Sequence, residues 1–272
     1  MNGILYLCAT PIGNLEDMTF RAIKILREVD LIAAEDTRRT LKLLNYFDIH
    51  TPLTRFDENC KENVGKKILE RLLAGESVAI VSDAGLPAIC DPGADFVRLA
   101  IDAGIKICPI PGANAALSAL ICSGLDTKQF FFVGFPPRTQ KNRRELLQKL
   151  SKIDATIIFY EAPHRLKKFL AELAEIFGER QVVLARELTK VHEEFLRGKI
   201  SALAEKISEP LGEFVVLVEG KTFSEQISLP NENISDVVQK FMDSGLDKKS
   251  AMREAAKKFN VSRREIYSAI KH

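Results

Sequence analysis

ESVAIVSDAGLPAICDPGADFVRLAIDAG, Glu76 to Gly104, passes from an apolar run through a loop into a helix-period segment. ESVAIV reads as a buried strand, and ADFVRLAIDAG reads as a helix closed by Gly104. Between them, Val81 to Gly93 form a thirteen-residue loop, long for a strand-to-helix connection. Gly85 and Gly93 permit close backbone approach, and Pro87 and Pro92 stiffen the loop. A loop at the carboxyl end of a parallel strand is where α/β sheets bind ligands. Its backbone N–H and C=O groups can bond adenine, ribose or a carboxylate, and Asp83 can take a ribose hydroxyl or an ammonium. No GxGxxG or GxxxxGK[ST] pattern supports a dinucleotide fold or a P-loop.

The same rhythm extends both ways. GILYLCAT is a strand, followed by a helix opening near Thr19 with Ile23, Leu26 and Val29 on one side. DLIAA, SVAIV and IKICPI are further strands, and RRTLKLLNYF, VGKKILERLLAG and ANAALSALIC are helices. A second unit starts near Gln129. QFFFVGF, DATIIFY, QVVLAREL and GEFVVLVEG are its strands, and HRLKKFLAELAEIFG is a helix with Leu166, Phe169, Leu170, Leu173 and Phe177 on one stripe. In the first unit the alternation predicts a mostly parallel sheet covered by helices. TFSEQISLPNENIS is a linker, and Ile234 to His272 is helical throughout. In that tail Ala251, Ala255, Ala256 and Phe259 share a face, and Ser262 with Glu265 form a capping box. This is a helix-turn-helix pattern, or a small bundle that closes off a domain.

At 272 residues, with 46% apolar and 28% charged residues, the chain can build sizeable cores. No apolar run reaches the roughly 20 residues of a membrane span, and MNGILYLCATPIG lacks the basic start of a signal peptide. The expectation is a cytoplasmic protein without membrane contact. Five scattered cysteines, with no CxxC pair, predict reduced thiols and no metal site. Net charge is only +2, but residues 226–272 carry nine Lys/Arg against six Asp/Glu. Arg138 to Lys152 carry six against one. Two basic clusters on a near-neutral chain point to an anionic partner, or to two solvated helix faces.

Two more loops match the first in character. CATPIGNLED follows the first strand, and PIPGANAAL follows IKIC, where Gly112, Ala113 and Ala115 leave room at a helix start. Three small-residue loops at one sheet edge predict a cleft for a nucleotide-like ligand.

Seven segments in order carry a specific resemblance. They are LYLCATPIGNLEDMTFRAIKIL (Leu5–Leu26), VDLIAAEDTRRT (Val29–Thr40), SDAGLPAICDPG (Ser82–Gly93), PIPGANAALSAL (Pro109–Leu120), FFFVGFPPR (Phe130–Arg138), FYEAPHRL (Phe159–Leu166) and ARELTKVHEEFLRG (Ala185–Gly198). Together they resemble the small-subunit ribosomal RNA 2′-O-methyltransferase I family, of the tetrapyrrole-methylase-like class of S-adenosylmethionine enzymes. The resemblance runs from Ile4 to Gly220, and the tail resembles the family's C-terminal module. One departure is Cys90, where the family pattern has Ser.

The resemblance implies two α/β domains, residues 1–115 and 116–224, with the cofactor cleft between them, plus a helical basic module at 231–272. It implies transfer of a methyl group from S-adenosylmethionine to the ribose 2′-hydroxyl of a decoding-region cytidine, in small-subunit rRNA or the assembled small subunit, by a homodimer. Pro11, Asp83, Ala84, Gly85, Pro87, Cys90, Gly112, Asn114, Ala115, Tyr160, Arg186, Gly212 and Glu213 would hold the cofactor. A ribose hydroxyl is a weak acid, so a base or nearby cation is needed. Glu35, Asp36, Glu161 and Glu187 are the candidate bases, and Arg38, Arg165, Arg186 and Lys190 the cations. Asp36 and Glu161, with Arg38, are the expected catalytic set, although AAEDTRRT is also an ordinary helix start with favourable acids. His164, at a helix entry, reads as a cap or phosphate contact. Arg138, Lys141, Arg143, Arg144, Arg165, Lys257, Arg263 and Arg264 would contact RNA. The competing readings are a small-tetrapyrrole methyltransferase and a non-enzymatic nucleic-acid-binding sensor.

Overall fold

The computed structural model describes residues 2–58, 60–90, 93–207, 210–221, 234–258 and 266. Residues 1–221 form one compact unit and residues 222–272 another.

The first sheet of the larger unit is wholly parallel, in the order β3-β2-β4-β1-β5. Its strands are β1 (Ile4–Cys8), β2 (Leu31–Ala34), β3 (Leu53–Arg55), β4 (Val78–Val81) and β5 (Lys106–Ile110). β2 and β4 are buried at every position, as expected of strands covered on both faces. Helices α1 (Phe20–Glu28) and α2 (Thr37–Tyr46) cover one face through Ala22, Leu26 and Leu44. Helices α3 (Lys61–Leu73) and α4 (Ala94–Asp102) cover the other through Ile68, Leu72, Phe96 and Ala100. The caps follow from local chemistry. Thr19 and Asp36 accept N–H bonds at the starts of α1 and α2, and Gly104 (φ +72°) follows the end of α4.

From β1 the chain moves toward β2, and from the adjacent β4 it moves the opposite way, to β5. The loops after β1 and β4 therefore diverge and open a crevice at the carboxyl edge of the sheet.

The second sheet runs β6-β7-β10-β8-β9. It comprises β6 (Phe130–Gly134), β7 (Thr156–Glu161), β8 (Gln181–Arg186), β9 (Glu194–Lys199) and β10 (Phe214–Val218). Here only β6–β7 is parallel, and the other three pairings are antiparallel. Residues 187–193 between β8 and β9 are too few for a crossover helix, so those strands must reverse. One face packs on α6 (Gln140–Leu150), α7 (Pro163–Phe177) and α8 (Ile200–Lys206). All five residues of the predicted α7 stripe are buried there. The other face packs on α5 (Ala115–Ser123) through Ala116, Ala119 and Leu120.

In the smaller unit α9 (Ile234–Asp243) and α10 (Lys248–Lys258) pair through Val237, Val238, Ala251, Ala255 and Ala256, joined by Ile266. Phe259 and the capping box of Ser262 and Glu265 lie outside the described residues.

Candidate active site

A cavity of about 440 Å³ lies at the crevice, walled by loops at the carboxyl edge of the first sheet, by the start of α5 and by the second sheet. From the first half come Ile12, Asp83, Ala84, Gly85, Leu86, Ile89, Cys90, Asn114 and Ala115. Opposite them stand Phe135, the Tyr160–Pro163 turn, Ala185, Leu188 and the start of β10 from Glu213. The walls are largely apolar, with a few convergent polar groups, as in small-molecule sites.

The floor is built by tying the loops after β1 and β4 together. Gly85 N–H donates to Thr10 O at 3.0 Å, and Thr10 N–H donates to Gly85 O at 2.9 Å. The Thr10 hydroxyl donates to Ser82 O, and the Ser82 hydroxyl donates to Gly85 O. Gly85 has φ +80°, a conformation glycine adopts freely. The third loop comes equally close, since a Cβ on Gly112 would meet Ala9 Cβ at 2.8 Å. Across the cleft, a Cβ on Gly134 would meet Cys90 Sγ at 2.8 Å, so the two halves touch at small residues. The Tyr160 hydroxyl accepts the N–H of Ala116 at 3.2 Å, which fixes α5 against β7.

Asp83 is held from behind. Its Oδ1 accepts the Asp36 N–H at 3.1 Å, and Oδ2 pairs with Arg39 at 3.2 Å. Asp36 itself caps α2 and forms a two-pronged pair with Arg38 Nε and Nη2 at 3.1 and 2.9 Å. Bonds from the Arg38 side chain and backbone hold its carboxyl down at about 2. A carboxylate so stabilised is a poor proton acceptor, and neither Asp36 nor Arg38 lines the cavity. The sequence placed both in the catalytic set; the structure puts them on the rim, where Asp36 orders Arg38.

Glu161 does belong to the cavity wall, but its side chain is fully buried. Oε1 accepts the Ala162 N–H at 2.9 Å and lies 3.2 Å from Arg165 Nε, while Oε2 has no hydrogen-bond partner. Burial raises its pKa above the ordinary carboxyl value, against the pull of the Ala162 N–H and Arg165. A raised acid pKa means the fold binds that proton more tightly than the unfolded chain does. The associated stability is complete below the unfolded value and is lost as pH rises through the folded one. Glu161→Gln is therefore expected to flatten the fall in melting temperature as pH rises above the ordinary carboxyl range, measured side by side with the parent protein. An equal slope in both proteins would contradict this.

Of the other residues expected at the cofactor, Asp83, Ala84, Gly85, Cys90, Asn114, Ala115, Tyr160 and Glu213 line the cavity. Pro11, Pro87, Gly112, Arg186 and Gly212 do not. Pro87 is buried beside the wall, and Arg186 turns to Leu211 O and Glu194. Gly212, at φ +92°, makes room for Glu187, since a Cβ there would meet Glu187 Cγ at 2.5 Å. Glu187 is tied to Lys190 and to the Glu213 N–H, and those bonds lower its pKa. The sequence missed the apolar wall of Ile12, Ile89, Phe135 and Leu188. Phe135 sits within the quoted FFFVGFPPR segment, yet nothing in that segment marks which of its phenylalanines faces a cavity.

Among the expected RNA contacts, Arg138 and Lys141 are exposed. Arg143 is buried, with Nε and Nη2 on Glu172 at 2.6 and 2.7 Å. That corrects the reading of Arg143 as a phosphate contact, because its donors are spent inside the protein. Arg144 pairs with Glu175. Lys257 lies in α10, and Arg263 and Arg264 lie outside the described residues. Among those residues no group of His, Cys, Asp and Glu is arranged to hold a metal, and no helix is long and apolar enough to cross a membrane.

Residues 4–204 match the family model for tetrapyrrole (corrin/porphyrin) methylases. The chain belongs to that family. It is a methyltransferase dependent on S-adenosylmethionine. It is 49% identical over 98% of its length, and 94% of the relative's, to the ribosomal RNA small subunit methyltransferase I of Bacillus subtilis (strain 168). The protein of that name from Halalkalibacterium halodurans is also 49% identical, with the same coverage. Among solved structures, uroporphyrin-III C-methyltransferase from Thermus thermophilus, complexed with S-adenosyl homocysteine, aligns with a TM-score of 0.57. That alignment covers 80% of this chain and 98% of the other at 17% identity, so it speaks for the fold alone.

Proposed function

We propose that this methylase acts on small-subunit rRNA, and that the acceptor is the ribose 2′-hydroxyl of a cytidine in the decoding region. The observation that carries the reading is near-full-length identity, at 49%, to proteins named for small-subunit rRNA methylation. A small-tetrapyrrole acceptor is supported only by the breadth of the family and by fold neighbours at 20% identity or less.

The cavity suits the cofactor. Apolar Ile12, Leu86 and Phe135 can enclose a base, while Asp83 and Glu213 offer carboxylates for ribose hydroxyls or an ammonium. The bound cofactor supplies an already activated methyl sulfonium, so the chain's task is chiefly alignment. Neither expected base is set to take the ribose proton. Asp36 is too weakly basic, and the Glu161 carboxyl is fully buried and engaged with the Ala162 N–H and Arg165. Exposed Arg38 and Arg39 at the rim serve instead to hold a phosphate and favour the developing alkoxide. Arg138, Lys141 and the basic tail add phosphate contacts. The protein works in the cytoplasm as a homodimer, with exposed Leu117 and Ile121 of α5 as apolar surface for the second copy.

Incubation with labelled S-adenosylmethionine and unmodified small subunits, followed by nuclease mapping, tests the assignment. Label on one cytidine ribose supports it, and label on a porphyrinoid alone would replace it with the tetrapyrrole reading. Deleting residues 231–272 is expected to weaken rRNA binding and flatten its salt dependence, by about one slope unit per lost phosphate contact. An unchanged slope would remove the tail from the RNA interface.

A further inference from the structure

The segment Phe135–Arg138 is fastened by two arginines of very different surroundings. Arg165 Nη2 donates to Pro136 O at 3.1 Å and Pro137 O at 3.3 Å, while its Nε faces Glu161 Oε1 at 3.2 Å. Arg143 Nη1 donates to Pro137 O at 3.2 Å and Arg138 O at 3.0 Å, behind its pair with Glu172. Both prolines lack an N–H, so this turn cannot fasten itself through its own amides there. Gly134 (φ +72°) and a register shift between Phe132 and Gly134 turn the chain just before it. The residue so placed is Phe135. It is 60% exposed, lines the cavity and packs edge-on against Tyr160, with ring centroids 5.5 Å apart.

We infer that Arg165 is a positioning residue for the cofactor pocket. Anchored by the buried Glu161 carboxylate, it clamps the Pro136 and Pro137 carbonyls and so holds Phe135 in the wall beside Tyr160. This assigns the Glu161–Arg165 pair a task distinct from proton transfer and from RNA contact. Glu161 supplies the buried anchor, Arg165 the bridge, and Phe135 the surface presented to a bound cofactor. Arginine suits the bridge because one planar fork reaches a carboxylate and two carbonyls at once. Lysine, a single point donor, cannot span all three.

The inference rests on the cavity being the cofactor site, and its test separates the two. Affinity of the full-length protein for S-adenosylhomocysteine is measured by calorimetry for the parent, R165Q, F135A and the double variant. Ordering a pocket aromatic in advance is worth roughly tenfold in affinity. Each single variant should lose about that factor, and the double variant no more than the worse single, because both changes remove one contact surface. Amide exchange over residues 132–138 should rise in R165Q and stay near the parent rate in F135A. R165K should recover only part of the affinity; it also serves if R165Q does not fold. A lower melting temperature with unchanged affinity, or losses that add in the double variant, would overturn the inference. If the parent protein itself fails to bind S-adenosylhomocysteine, the cofactor reading falls. The exchange rates then still decide whether Arg165 fastens the turn.

Discussion

Gly85→Val is expected to reduce affinity for S-adenosylhomocysteine by two orders of magnitude or more, read by calorimetry on the folded protein. Gly85 sits at φ +80°, where a side chain costs roughly 1–2 kcal/mol, and a β-branched one still more. The backbone cannot relax out of that region cheaply, because its N–H and C=O both bond to Thr10. Space is limited as well. A Cβ would already lie 3.4 Å from Ile12 Cγ2 and 3.5 Å from Ala113 O, so the two methyls beyond it must displace the wall or fill the cavity. The strain acts on free and bound protein alike and lowers stability, so the affinity loss comes from the side chain that fills the cavity and shifts its wall. Gly104→Val supplies the control. It has nearly the same φ, +72°, with nothing within 4 Å of its would-be Cβ, and it lies at the far end of α4. It should lower stability comparably while leaving cofactor affinity unchanged. Equal affinity losses in both variants would mean that Gly85 matters only to folding.

The parts of this architecture that sequence reveals are those written into local chemistry. Thr19, Asp36 and Asn114 each stand where a helix must begin, and each accepts an N–H of the first turn. The α7 stripe and the all-buried β4 follow from periodicity. The loop after β4 announced a ligand site by its length and small residues, and it does line the cavity. Other features were not legible, for physical reasons. Strand direction leaves no mark on an apolar run, so the antiparallel second sheet could not be told from a parallel one. β3 has three residues and no buried position, too little to show a period. Asp36 and Glu161 looked alike as carboxylates beside a strand end. What separates them is environment: an exposed two-pronged arginine lowers one pKa, and burial with one unsatisfied oxygen raises the other. Those partners are set by packing, which composition does not encode. The same holds for Arg143, one basic residue among six in its segment, whose neighbour Glu172 is 29 positions away.

Glu172→Ala is expected to destabilise the protein by about 3–5 kcal/mol in denaturant titration, since it strands a buried guanidinium. Both side chains are only 6% exposed, and the pair is doubly hydrogen-bonded between α6 and α7. Arg143 also holds the carbonyls of Pro137 and Arg138, so its loss alone would free those acceptors as well. Replacing both partners together with methionine behaves differently. It removes the uncompensated charge and lets apolar side chains fill the space, and such exchanges of buried ion pairs are often neutral or stabilising. The double variant R143M/E172M should therefore recover most of the stability lost in E172A, less what the two loop carbonyls contribute. It also settles what Arg143 does on the basic face of α6. A buried arginine engaged with four acceptors has nothing left for phosphate, so rRNA affinity and its salt slope should match the parent protein. Removing exposed Arg138 and Lys141 should instead lower the slope by about one unit each. A lowered slope in R143M/E172M would mean that Arg143 leaves Glu172 to meet the RNA, and that α6 moves when it does.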